Sequence, residues 1–204
     1  MVSVVLAGGG TAGHTSPLIA TAEALKAAEP QVQITCIGTV RGLETRVVPE
    51  AGLALELVPA VPLPRKLSLD LFKVPYRLAS AVRAAKRILQ RAEADVLCGF
   101  GGYVAMPAYL AARRLGIPVV IQEQNAVPGI ANKVAARFAA AVLTSFPGTP
   151  LTGARFEGLP VRSEITELAA AGRLSRQAAQ RDRFGLHRDL PVLLVSGGSQ
   201  GARS

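Results

Sequence analysis

The chain has 204 residues, half of them hydrophobic, with a net charge of +9; this length can bury one large domain or two small ones. Aromatic residues make up only 4%, which argues against a stacking platform for single-stranded nucleic acid. The two cysteines, Cys36 and Cys98, are widely spaced in apolar runs and read as buried thiols in a reducing compartment, not as a disulfide or a metal site.

In chain order, Val2 to Leu6 reads as a buried strand. It feeds a turn with Gly8, Gly9, Gly10 and Gly13, in which Thr11 can cap the next helix and His14 falls in its first turn. A strand, a glycine turn and a helix start together make an anion site: backbone N–H groups and the helix dipole converge, and missing Cβ atoms let a diphosphate approach. Pro17–Ala28 has helical spacing, Val32–Ile37 is a second strand, Leu43–Glu50 a short helix and Leu53–Val58 a third strand. The proline-rich stretch 59–64 is an extended loop. Leu67–Arg91 reads as a long amphipathic helix interrupted near Pro75, with Leu71, Val74, Leu78, Val82, Ala85 and Leu89 as its buried stripe.

Asp95–Cys98 is a strand ending in a second glycine turn, Gly99-Phe100-Gly101-Gly102. Pro107–Leu115 is a helix, and Val119–Gln122 a strand whose end carries Glu123, Gln124 and Asn125. Ile130–Phe138 is helical and Ala141–Ser145 a strand. Alternating strands and helices predict a parallel, Rossmann-type α/β sheet with flanking helices. The proline- and glycine-rich stretch Phe146–Arg162 reads as a domain edge and linker, and Ser163–Arg183 as one polar helix. Pro191–Ser196 reads as a fresh buried strand with its own glycine turn. The expected organisation is an N-terminal domain over 1–160, then a linker and the opening of an incomplete second domain over 161–204.

The basic excess is local. Eight basic residues lie between Arg65 and Arg91 against one acid, Asp70. Arg65, Lys66 and Lys73 alternate with apolar residues that include Leu69 and Phe72, which suits a peripheral contact with an anionic membrane face. The simpler alternative is a solvated helix face over core leucines. No apolar run approaches the ~20 residues of a membrane span, and no basic leader precedes the first strand. The expectation is a cytosolic chain able to rest on a membrane.

Gly8-x-Gly10-x-x-Gly13 also fits a dinucleotide fingerprint. The second strand, however, ends in Ile37-Gly38-Thr39 with no acid for a ribose; only Arg41 is available, for an NADP phosphate. The P-loop lysine is absent. In a parallel sheet ligands bind beyond the carboxyl ends of strands, so Gly9 to His14, Gly99 to Tyr103 and Glu123 to Asn125 are expected to line one cleft.

These residues carry a family resemblance. The runs GGTAGHTSP (Gly9–Pro17), RGLETRVVPEAG (Arg41–Gly52), GFGGYVAMPAYLAARRLGIPVVIQEQNAVPGIANK (Gly99–Lys133), SFPGT (Ser145–Thr149), LPVR (Leu159–Arg162) and VSGGSQGAR (Val195–Arg203) resemble the MurG family, bacterial cell-wall N-acetylglucosaminyltransferases of the GT-B class. The chain departs from that family at Ala12, which narrows the first glycine loop, at Gln122, where His is usual, and at Leu159, where Asn is usual.

The resemblance implies a GT-B-like fold with its C-terminal domain truncated. It implies inverting transfer of GlcNAc from UDP-GlcNAc to the MurNAc C4 hydroxyl of undecaprenyl-diphosphate-MurNAc-pentapeptide, at the cytoplasmic face of the bacterial membrane. No cofactor is implied beyond the donor substrate, no nucleic acid, and no metal, since Asp-x-Asp is absent. His14 is the candidate general base, an imidazole being poised to take a proton near neutral pH, with Glu123 sharing or orienting that role. Substrate contacts are expected at Gly10, Thr11, Ala12 and Gly13, at Gly101, Gly102 and Tyr103, and at Asn125. Arg162, Ser199 and Gln200 are expected toward the UDP side, and Arg65, Lys66, Leu69, Phe72 and Lys73 at the membrane. The alternatives are a non-catalytic module that binds a lipid diphosphate and an NADP oxidoreductase.

Overall fold

The computed structural model describes residues 1–61, 74–172, 174 and 176–196. The expected membrane residues Arg65, Lys66, Leu69, Phe72 and Lys73, and the expected donor-side residues Ser199 and Gln200, lie outside the described residues.

Seven parallel strands form one sheet in the order β3-β2-β1-β4-β5-β6-β7. They are β1 (Ser3–Ala7), β2 (Gln33–Thr39), β3 (Ala54–Val58), β4 (Val96–Gly99), β5 (Val119–Glu123), β6 (Ala141–Thr144) and β7 (Ala154–Phe156). The helices are α1 (Ala12–Ala28), α2 (Glu44–Glu50), α3 (Val74–Arg91), α4 (Ala105–Leu115), α5 (Ile130–Ala135), α6 (Ser163–Ala171) and α7 (Gln177–Arg183).

β1 shows why the sheet takes this form. All five of its residues are buried, as expected for a strand covered on both faces. Successive side chains point to opposite faces. Val4 and Leu6 therefore join Leu18, Ile19, Val48 and Phe100, under α1 and α2. Val5 and Ala7 join Val82, Leu89, Ala108 and Tyr109, under α3 and α4. Leu6 sits in register with Cys36 on one side and Cys98 on the other. Burial pushes both thiols up to about 12, so both stay neutral, and both are free.

The stripe of α3 is buried at Ala81, Val82, Ala85, Ile88 and Leu89, while Arg77, Arg83, Lys86 and Arg87 are exposed. α4 ends at Gly116 in the left-handed region, φ 71°, a backbone state glycine adopts without steric cost.

Helix α1 begins at Ala12, with Thr11, extended at φ −137°, in the N-cap position and His14 in the first turn as expected. Three expectations are corrected. The stretch read as a linker contains β7, which pairs with β6; it was missed because three exposed residues carry no periodicity. The single helix expected over Ser163–Arg183 is two helices, because α6 stops at Gly172, φ 84°. Val192–Val195 is not a strand: it is irregular, with Leu193, Leu194 and Val195 between 84% and 88% exposed. An apolar run becomes a buried strand only when neighbouring strands accept its backbone bonds and a layer covers it, and among the described residues nothing does either.

Candidate functional site

The strand order reverses at β1, where β2 lies on one side and β4 on the other. Such a switch point opens a crevice beyond the strand ends, and both glycine turns emerge there. Ladder bonds carry the two turns past the strands: Gly8 N–H donates to the Ile37 carbonyl at 3.3 Å, and Phe100 N–H to the Ala7 carbonyl at 2.8 Å. The turns then touch. Gly102, at φ 81°, lies so close that a Cβ there would stand 2.7 Å from the Gly9 carbonyl oxygen. Any side chain at 102 would force the turns apart.

His14 lies where they meet. Its Nδ1 is 3.0 Å from Thr11 Oγ1. A Cβ at Gly101 would come within 3.5 Å of the other ring nitrogen, Nε2, and within 3.3 Å of Asn132 Nδ2, so the second glycine turn leaves open the space beside the imidazole. Thr11 occupies the N-cap of α1 but makes no side-chain cap bond; its hydroxyl is turned to His14 instead. The expectation that Thr11 caps the helix is corrected in that respect.

Burial lowers the His14 pKa below 6.5, partly opposed by the negative charges of Glu123 and then Glu44. The neutral imidazole is therefore favoured at pH 7, the form able to accept a proton. Its linkage to stability has a definite sign. With the folded pKa below the unfolded one, the unfolded chain binds more protons between the two values. This contribution is complete above pH 6.5 and is lost as pH falls through 6.5 toward the folded pKa. Thermal unfolding should thus show a falling midpoint from pH 7 to pH 5, and His14→Gln should flatten part of that fall. An identical pH slope in both proteins would contradict the assignment.

Glu123 ends β5 and is 1% exposed. Its Oε1 accepts from the backbone N–H and Nδ2 of Asn125, each at 2.9 Å. Its Oε2 accepts from Gly129 N–H at 3.0 Å and Asn132 Nδ2 at 2.9 Å. Asn132 Oδ1 in turn accepts from the Tyr109 hydroxyl at 2.7 Å. Four donors saturate the carboxylate, so in this structure it organises the 125–129 loop and the start of α5. Of the two roles expected for it, this arrangement suits the orienting one, and its charge acts on His14 through space. Asn125 is exposed and spends its side-chain N–H on Glu123.

His14, Gly102 and Tyr103 line a cleft of about 720 Å3, with Val61, Leu78 and Met106 on its apolar wall. Tyr103 is half exposed at its mouth. Gln124 Nε2 donates to the Phe100 carbonyl at 2.6 Å, and its Oε1 is buried without a partner among the described residues. Gly10, Thr11, Ala12 and Gly13 form the adjoining turn. Arg162, exposed at the N-cap of α6, is not brought to this cleft. Gln122, at the position that departs from the family, donates from Nε2 to Ser145 Oγ at 3.1 Å and the Gly158 carbonyl at 3.0 Å, tying β5 to the stretch after β7.

Sequence reasoning missed three site residues. Asn132 and Tyr109 give no local signal, since neither helix carries a spacing that marks them apart from its other polar residues. Glu44 lay beyond the strand end searched for an acid. It is fully buried, and its Oε2 accepts from Gly10 N–H at 2.8 Å, so that donor is committed within the protein. Among the described residues no group of three or more His, Cys, Asp or Glu is placed to hold a metal ion.

A Rossmann-type sheet with its crevice between two glycine turns is the form of the N-terminal half of a GT-B-like fold. The glycosyltransferase family 28 N-terminal domain matches residues 4–144, and the chain belongs to that family. It is 65% identical over 205 residues to the UDP-N-acetylglucosamine–N-acetylmuramyl-(pentapeptide) pyrophosphoryl-undecaprenol N-acetylglucosamine transferase of Cutibacterium acnes, covering 99% of this chain and 55% of that protein. It is 60% identical over 200 residues to the protein of the same name from a Nocardioides species, covering 98% of this chain and 54% of that protein. The chain thus spans about half the length of the curated relatives it matches. Among solved structures it is similar to Acinetobacter baumannii MurG, with TM-score 0.67 and 33% identity, covering 81% of this chain and 47% of that one.

Proposed function

We propose that this chain is the acceptor-side half of an inverting N-acetylglucosaminyltransferase. The complete protein would move GlcNAc from UDP-GlcNAc to the MurNAc C4 hydroxyl of undecaprenyl-diphosphate-MurNAc-pentapeptide. The observation that carries this reading is the placement of His14, favoured neutral, between two touching glycine turns beside a largely apolar cleft. Residues 1–160 form the acceptor domain; 161–204 are the linker and the start of the donor domain.

The steps follow from the geometry. In the tautomer that carries its proton on Nδ1 and donates it to Thr11 Oγ1, 3.0 Å away, His14 presents the Nε2 lone pair to the cleft. The C4 hydroxyl gives its proton to Nε2 as its oxygen attacks the anomeric carbon; the bond to UDP breaks and UDP leaves with the electron pair, inverting that carbon. Thr11, turned to His14, leaves the first N–H groups of α1 uncapped for a phosphate of the acceptor. Asn125 and Tyr103 suit sugar hydroxyls at the cleft mouth. Arg162, Ser199 and Gln200 belong to the donor side. The basic stretch from Arg65 to Lys73 would rest on the anionic cytoplasmic leaflet, where the lipid acceptor resides; among the described residues no helix is long and apolar enough to cross a membrane.

The test joins this chain to the C-terminal half of the Cutibacterium acnes relative. Supplied with labelled UDP-GlcNAc and the lipid acceptor, the joined protein should label the lipid, while the 204-residue chain alone should not. A folded joined protein that labels nothing would refute the reading. Binding of the lipid diphosphate without transfer would favour the non-catalytic module, and saturable NADPH binding an oxidoreductase.

A further inference from the structure

Glu44 is a buried carboxylate that the proposed transfer does not use. It is 0% exposed, and no described basic residue forms an ion pair with it. Burying an unpaired charge is costly unless hydrogen bonds replace its water. Here three do: Gly10 N–H to Oε2 at 2.8 Å, and Thr39 N–H at 2.9 Å and Thr39 Oγ1 at 3.0 Å to Oε1. The space is made by absence. A Cβ at Gly9, Gly38 or Gly42 would collide with the Glu44 side chain, so glycines from the turn, from β2 and from the β2–α2 connection together form its seat. Glycines that read in the sequence as room for a phosphate are, in part, room for a carboxylate.

We propose that Glu44 is a positioning residue for His14: it clamps the first glycine turn through Gly10 and sets a fixed negative charge near the imidazole. The clamp fixes the backbone one residue before Thr11, which holds His14 Nδ1. The charge favours the imidazolium that forms when the sugar hydroxyl gives up its proton. The role in transfer rests on the proposed reaction; the clamp and the charge do not. The titratable groups around His14 are Glu44 from α2, Glu123 from β5 and Tyr103 at the cleft mouth, with Tyr109 further back on α4. Of these, Glu44 and Glu123 both act to raise the His14 pKa against burial.

The chain has two histidines, and exposed His187 is an internal reference. In an NMR titration of the 204-residue chain, Glu44→Gln should lower the His14 midpoint and leave that of His187 unchanged. Exchange of the Gly10 amide should speed up by about tenfold, the equivalent of one charge-assisted hydrogen bond. A variant with lower thermal stability but an unchanged His14 midpoint and unchanged Gly10 exchange would overturn the proposal and leave Glu44 merely structural. If Glu44→Gln does not fold, the unmodified chain gives the reading: the Gly10 amide should be protected from exchange, and exchange at the rate of an unstructured amide would overturn the clamp. These readouts need no transfer, so their failure bears on Glu44 alone, whereas failure of the reaction appears in the labelling assay.

Discussion

His14→Ala, made in the chain joined to a donor half, should lower kcat by about 100-fold or more with KM for the lipid acceptor little changed. A positioned general base contributes on the order of 10²–10⁴-fold. The imidazole touches Thr11 and the two glycine turns but carries no part of the core, so the fold should survive its loss. Steady-state transfer kinetics give the number, and the pH profile gives the cause: the acid limb of kcat/KM should fall below pH 6.5, because burial depresses the pKa, and should vanish in the variant. A near-normal rate would remove His14 from the role of base.

Glu123→Ala should instead show its main effect in stability. It would leave Asn132 Nδ2, the Gly129 amide and both Asn125 donors without their acceptor. Removing one partner of a buried charged network costs roughly 3 kcal/mol or more. Urea unfolding should show a midpoint lowered accordingly at unchanged slope. Glu123→Gln, which keeps one acceptor oxygen, should lose less. If Glu123→Ala unfolded like the parent chain yet abolished transfer, Glu123 would return as a proton acceptor.

Much of the fold was legible because periodicity records burial. β1 to β6 and α1 to α5 were each found in order, most within a few residues, since each presents a stripe or run to one of the two cores. The elements that were misread bury little. β7 is exposed throughout, and neither α6 nor α7 buries a residue, so no apolar pattern marks them. Val192–Val195 failed in the opposite way: its composition states what the run could pair with, not whether a partner is there. The site was half legible. Glycine turns and His14 stand out locally, and the topology that joins them follows from alternating strands and helices. The duties of Glu44 and Glu123 depend on donors up to 34 residues away, and no spacing rule carries that information.

The central place of β1 has a consequence for how the chain is made. β1 is made well before one of its two neighbours, β4: Asp95, which accepts from the Ser3 amide at 2.8 Å, lies 92 residues downstream. At synthesis rates of about 5–20 residues per second, the strand waits roughly 5 to 20 seconds for that edge to be covered. During this interval β2 and β3 can pair with it and with each other, while its other edge stays open to any passing strand. The Asp95 and Ala92 contacts to Ser3 join the β1–β4 ladder in covering that edge, and none of them can form until residues 92–99 have been made.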